Sequence, residues 1–186
     1  MTANEAANTA MWAGQDVSRI LHRIPEESHG EVLDVLGPTV EILAYDEKTG
    51  LCTMRGVMPH GVTVPLHSHD DPEDFYIVAG SQHVLTEGEH GLEWSEARAG
   101  DYVRVPPGML HAHRNASGAP AVDLIVTTAR MGRFFQEIGR PFTGNAQPPA
   151  PEDLARFVAV AQKYGYRLGT PAENAAVGIE LQGVHP

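Results

Sequence analysis

The sequence predicts an all-β sandwich or barrel followed by short C-terminal helices. From about Pro38 to Thr128 the chain breaks into short alternating runs divided by turn residues, as in small β-barrels. No internal repeat is present, so one barrel is expected rather than two. After Ala129 the apolar spacing changes from that of strands to that of helices.

The expected strands are Thr39–Tyr45, Leu51–Met58, Val62–His69, Phe75–Val78, His83–Thr86, Leu92–Trp94, Tyr102–Val105 and Ala121–Thr127. Breaks fall at Lys48–Gly50, His60–Gly61, Asp70–Pro72, Gly80, Gly88, Gly91, Gly100, Pro106–Gly108 and Gly118, which carry turn chemistry. Within Tyr102–Val105 the valines are the inward choice, which leaves Arg104 as a weak candidate for pairing an acidic substrate.

Met131, Phe134, Phe135 and Ile138 share a helical face, and Gly139 with Pro141 ends that helix. A Pro-rich connector, Gln147–Pro151, leads to a second amphipathic helix over Glu152–Tyr164, with Leu154, Phe157, Val158 and Ala161 as its stripe. Glu152 and Asp153 suit its positive end, Lys163 its negative end, and Gly165 stops it. These helices either close one mouth of the barrel or cover its outer wall. The chain thus divides into an N-terminal arm (1–37), a barrel (38–130) and a helical extension (131–186). Met11 and Trp12 are the two large apolar residues of a small, polar N-terminus, where packing and fraying are equally open.

With 186 residues, 42% hydrophobic and 20% charged, the chain is long enough to bury a core and too apolar for wholesale disorder. Its formal net charge of −11 repels phosphate backbones and anionic lipids, so neither nucleic acid nor membrane is an expected partner. The first twenty residues lack the basic start and apolar run of a secretory signal, and no stretch is long and apolar enough to span a bilayer. A cytoplasmic protein is expected. The single cysteine, Cys52, cannot form an intrachain disulfide and lies in an alternating strand pattern, so its expected role is structural.

Two segments carry chemistry: Gly61–Gly80 and Gly100–Asn115. His67 and His69 are two apart on an expected strand, so they leave the same face with bases roughly 6.6 Å apart. Both imidazoles can converge on one ion at that spacing. Asp70–Pro72 turns the chain, and Glu73 opens the next strand with Phe75 and Ile77 on its face. His111 follows the tight turn of Pro106–Gly108, and a barrel can bring it against His67 and His69. Three imidazoles and one carboxylate suit a divalent transition metal (Fe, Mn, Co, Ni, Cu or Zn) better than Mg or Ca. Such a set leaves one or two coordination positions open for chemistry. His113, two residues after His111, either shares the inward face as a supporting group or proton carrier, or sits in water. His60, His83 and His90 fall at turns or edges and are expected to be exposed.

The two segments resemble the paired motifs of the cupin family. Gly61, His67, His69, Glu73 and Gly80 fit the first motif, and Gly100, Pro106, Gly108, His111 and Asn115 fit the second. The short spacer, Ser81–Ala99, is similar to that of single-domain microbial cupins. The resemblance implies a jelly-roll-like β-barrel with His67, His69, Glu73 and His111 as metal ligands. FYIVAG after Glu73 and the tail RFFQEIGRP resemble single-domain bacterial cupins of the quercetin dioxygenase type. That likeness implies a metal-dependent dioxygenase acting on a flavonol-like or other enolisable small molecule. Glu73 would be its catalytic base, and Phe75, Ile77, Phe134 and Phe135 would wall its pocket. The alternatives are an isomerase or lyase using the metal as a Lewis acid, or a non-catalytic small-molecule-binding cupin. Family habit implies a homodimer.

Overall fold

The computed structural model describes residues 24, 28, 30–89, 91–144 and 148–181. Met11, Trp12 and His90 lie outside them. Twelve strands alternate with tight turns: β1 (Val32–Asp34), β2 (Thr39–Asp46), β3 (Leu51–Met58), β4 (Thr63–Ser68), β5 (Glu73–Ala79), β6 (Ser81–Gly88), β7 (Gly91–Arg98), β8 (Tyr102–Val105), β9 (His111–Arg114), β10 (Ala121–Thr128), β11 (Arg140–Pro141) and β12 (Arg167–Leu168). Three helices follow the main strands: α1 (Ala129–Ile138), α2 (Pro151–Lys163) and α3 (Pro171–Ala176). None of the described helices is long and apolar enough to cross a membrane.

The strands form two facing antiparallel sheets, ordered β11-β1-β2-β3-β10-β5-β8 and β12-β4-β9-β6-β7. This is an all-β jelly-roll arrangement. Among the described residues no ladder joins the two sheets into one closed barrel.

Period-2 alternation decides which side chains enter the space between the sheets. On β3 the buried set is Cys52, Met54, Gly56 and Met58, and on β10 it is Ala121, Asp123, Ile125 and Thr127. On β5 the buried residues Glu73, Phe75 and Ile77 alternate with less buried ones. Val105 is wholly buried while Tyr102 stays exposed, so the valines of β8 do face inward. Cys52 packs in the core, where burial pushes its thiol up to about 12, out of the range of a nucleophile.

Gly80 shows why a turn glycine is needed. Its backbone sits at φ +73°, and a Cβ there would stand 2.4 Å from the Pro120 carbonyl oxygen. Asn115 is a structural clip: its side-chain amide donates to the carbonyls of Met58 and Ala119, and its side-chain oxygen accepts from Ser117.

Five elements had no counterpart in the expected pattern. β1, β11 and β12 have three, two and two residues, too few to display a period. β9 reads His-Ala-His-Arg, whose inward residues are polar and so mimic no apolar alternation. α3 is a single short segment set by a Thr170–Glu173 capping box and Pro171.

α1 and α2 pack against the mouth of the space between the sheets. Phe134, Phe135 and Ile138 of α1, with Leu154, Phe157 and Val158 of α2, line the cavity itself. Side chains of both helices thus reach the cavity rather than only covering an outer wall. Beyond α2 the chain returns to the sheets. Leu168 pairs with His67, the Gly169 N–H donates to the Leu66 carbonyl, and the buried Asn174 side chain accepts from the Leu66 N–H.

Gly56 is the tightest close approach between β3 and β10. A Cβ there would lie 2.1 Å from Asp123 Oδ1 and 3.0 Å from Ile125 Cδ1. Gly56→Ala should therefore destabilise the fold by about 1–3 kcal/mol, the usual cost of overpacking. Chemical denaturation beside the parent protein reads this, and an unchanged midpoint would show that Asp123 can move aside.

Candidate metal centre

The site begins with a register fact. β4 and β9 are antiparallel, and their pairing sets His67 directly opposite His111. An irregularity between Val64 and His67 re-aims the end of β4. His69 lies just past that strand, and the Gly108 N–H donates to the His69 carbonyl at 2.7 Å. The Pro106–Gly108 turn is thereby docked onto the His-x-His segment. That bond explains why a tight turn must precede His111.

A candidate nitrogen from each of His67, His69 and His111 lies within 4.8 Å of the other two. Glu73 Oε2 stands 3.4 Å from His69 Nε2 and 3.8 Å from His111 Nε2. Glu73 thus adjoins two of the three clustered histidines. His69, His111 and Glu73 are buried and His67 is half-buried.

The other ring nitrogen of each histidine is already engaged. Nδ1 of His67 contacts the Pro65 carbonyl at 2.7 Å, Nδ1 of His69 the Asp71 carbonyl at 2.8 Å, and Nδ1 of His111 the Met109 carbonyl at 2.8 Å. A carbonyl only accepts, so each Nδ1 must carry the hydrogen, which leaves the Nε2 lone pair free. Nε2 of His69 and of His111 is buried without a hydrogen-bond partner. Orphaned, converging imidazole lone pairs beside a carboxylate are what a divalent transition metal requires, so the residues present fit such an ion.

Electrostatics agree with a cation-ready site. Burial, then the neighbouring His111 and His69, hold His67 well below the usual histidine range, in its neutral ligand form. Burial alone would raise Glu73, but the His111 and His69 imidazoles outweigh it and hold the carboxyl far below its ordinary range. Burial would lower His69, yet Glu73 and the Asp71 carbonyl raise it overall. The Glu73 carboxylate thus favours positive charge at His69, as it would favour a bound cation.

The centre opens onto a cavity of about 430 Å³ between the sheets. Phe75, Phe134 and Phe135 line it as expected, whereas Ile77 is buried behind its wall. Arg104 lies outside, exposed and 3.9 Å from Asp74, so it takes no part. His60 is exposed, but His83 is half-buried on β6, paired in register with Glu96 and Arg114 rather than at a turn.

His113 faces inward. It is buried in the cavity wall with its ring 4.9 Å from Phe75, and burial pushes it down to about 3, so it stays neutral. Three further residues escaped the spacing argument. Tyr166 covers the centre, its ring 4.8 Å from His69 and stacked on Phe134 at 4.3 Å. Nothing local marks it, because the return of the chain after α2 places it. Gln82 and Asp123 meet across the two sheets, with Gln82 Nε2 donating to Asp123 Oδ2 at 2.9 Å. Asp123 did have a signal: it is the one charged residue in the apolar strand AVDLIVTT, at an inward position.

Asp71 ties the centre to the extension. Its carboxylate accepts from Thr128 and Arg130, and Arg130 also donates to the Tyr164 carbonyl. The segment bearing His69 is thus linked to α1 and to the chain entering Tyr166.

Residues 54–127 match the family model described as the cupin domain. Quercetin 2,3-dioxygenase of Bacillus subtilis is 27% identical over 105 residues, which cover 56% of this chain and 30% of that protein. The chain therefore aligns with less than a third of that relative's length. Among solved structures, the Cnp3 cupin domain of Schizosaccharomyces pombe aligns with a TM-score of 0.49 at 14% identity, over 59% of this chain and 73% of that one. An RmlC-like cupin from Shewanella frigidimarina aligns with a TM-score of 0.47 at 24% identity, over 56% and 89%.

His69→Ala should abolish stoichiometric metal while leaving the sheets folded. Elemental analysis beside circular dichroism checks this, and unchanged metal content would refute the ligand assignment. A second outcome concerns pH. Burial pushes Asp123 up to about 7, against the lowering bond from Gln82. The folded state then holds a proton that the unfolded chain releases near pH 4, so this stabilisation is full in acid and is lost as pH rises toward 7. Relative to Asp123→Asn, the parent should lose up to ~4 kcal/mol between pH 4 and 8. Paired denaturation curves at those two pH values test it, and parallel behaviour would count against a protonated Asp123.

Proposed function

From a chain whose residues 54–127 match the cupin-domain family model, we propose that the protein is a metal-dependent dioxygenase of the quercetinase type. Its substrate would be a flavonol-like or otherwise enolisable, hydroxylated aromatic molecule. The observation that carries this reading is the joining of two features. Three imidazoles cluster, with a carboxylate beside two of them, and the cluster opens onto an aromatic-walled cavity of about 430 Å³, a volume suited to a small-molecule ligand. The similarity to a quercetin 2,3-dioxygenase supports the substrate class.

His67, His69, His111 and Glu73 would hold the ion, one of Fe, Mn, Co, Ni, Cu or Zn by donor type. When bound, it supplies a Lewis acid that acidifies an enolic hydroxyl and an open position for the reaction with dioxygen. Glu73 is the one carboxylate among the four, so it would be the group to accept that hydroxyl's proton at Oε. Phe75, Phe134 and Phe135 flank the ring system and exclude water. Tyr166 covers His67 and His69, restricting the angle from which a planar substrate approaches.

Oxygen uptake is the deciding measurement. Protein reconstituted with each of these metals should consume oxygen when quercetin is added, with at least one metal active. Glu73→Gln should lower that rate by about 10²–10⁴, the usual contribution of a positioned base. Absence of uptake with every metal and every flavonol would overturn the reading.

A further inference from the structure

The described cavity has a second polar region that the metal centre does not use. Gln82, His113 and Asp123 line the same cavity as His67, His69 and Glu73. Their relative exposures are 1%, 4% and 4%. The Gln82–Asp123 hydrogen bond satisfies one atom of each, and the remaining atoms are orphaned. Gln82 Oε1, Asp123 Oδ1 and both ring nitrogens of His113 are buried without a partner. Buried polar atoms are almost always paired, so four orphans in three residues that line one cavity point to a partner that the chain itself does not provide.

The register places this cluster along the cavity from the metal centre. Asp123 on β10 stands opposite Ile77, four residues beyond Glu73 on β5, or roughly 13 Å by strand rise. Between the two lies the apolar pair Phe75 and Ile125. On the other sheet, His113 stands two residues beyond His111 and opposite Val84, with Gln82 two residues before Val84 on the neighbouring strand. Seen from the metal centre, the cavity therefore presents a chelating end, an apolar middle and a hydrogen-bonding end.

We propose that Gln82, Asp123 and His113 form a subsite along the cavity from the metal centre that binds a hydroxyl-bearing ring of the substrate, with His113 on the metal side, its ring 5.6 Å from that of His111. The ligand chemistry follows from the orphaned atoms. Gln82 Oε1 is an acceptor, so the bound group must bring an O–H donor, while the Asp123 carboxyl and His113 can each donate to or accept from a further oxygen. The flanking Phe75 and Ile125 select a ring to carry those hydroxyls. A molecule spanning both ends has an enolic oxygen at one end and a phenolic ring at the other. This deepens the dioxygenase reading and rests on it for the class of substrate.

The test is anaerobic equilibrium binding to metal-reconstituted protein, with oxygen uptake recorded in parallel. Quercetin is compared with 3-hydroxyflavone, which keeps the enolic hydroxyl and lacks the other ring hydroxyls. The parent protein should prefer quercetin by at least about tenfold, the worth of one satisfied buried hydrogen bond. Asp123→Leu should bring the two affinities together. Gln82→Met, a milder change that leaves Asp123 in place, should do the same if Asp123→Leu fails to fold. Equal affinities in the parent, or a preference that survives both variants, would overturn the subsite and assign the orphaned atoms to internal water. A preference that both variants erase, without oxygen uptake, would uphold the subsite while sinking the dioxygenase reading. Failure of both flavonols to bind would overturn the subsite and the dioxygenase reading together.

Discussion

The histidine cluster depends on three short contacts between imidazole Nδ1 atoms and backbone carbonyls, at Pro65, Asp71 and Met109. Each fixes a tautomer, and together they leave three Nε2 lone pairs free, those of His69 and His111 beside Glu73. The carbonyls all lie two residues from the histidine they orient, so the ring geometry is set by the local backbone. That backbone is in turn held by longer contacts. The irregularity in β4 re-aims the strand end, and the Gly108 N–H on the His69 carbonyl locks one ligand segment to the other. Loss of either would tilt a ring and leave a buried nitrogen pointing at apolar wall, which is costly in a low-dielectric interior.

The rest of the architecture shields this point. Two sheets supply the side walls, and the helices that follow β10 supply the closure. Asp71 connects the parts: its carbonyl orients His69, and its carboxylate holds Thr128 and Arg130 at the start of α1. Through Arg130 the same network reaches the Tyr164 carbonyl, two residues before the ring that covers the centre. Movement of the extension would be felt at His69 through this chain of contacts, since Asp71 has its partners on both sides.

The cavity's asymmetry has a simple origin. Inward positions of β5 and β10 alternate strictly, so a polar residue at such a position must enter the interior. Glu73 does so at one end and Asp123 at the other, with Phe75 and Ile125 between them. Gly56 makes the second placement possible, because a side chain on β3 at that point would overlap Asp123. The interior is therefore graded from a charged, nitrogen-rich end to a hydrogen-bonding end, and an extended ring system is the shape that matches both.

Much of this was legible in the amino-acid order because the governing rules are local. Period 2 placed His67, His69, Glu73, Phe75, Val103 and Val105 on their faces, and Gly and Pro marked the turns between strands. The helical spacing of Met131–Ile138 and of Leu154–Ala161 was equally plain. Strands of two or three residues left no period to read, and β9 was hidden by its inward histidines. What only the tertiary structure decided are encounters between distant segments, which depend on sheet register and on how the extension docks. These are the pairing of His67 with His111, the cross-sheet bond of Gln82 and Asp123, and the closure of the mouth by α1 and α2. The seating of Tyr166 belongs with them, for it follows from Leu168 pairing with His67. Spacing could name a chelating set, but the depth of the cavity and the polar groups at its far end exist only once two sheets face each other.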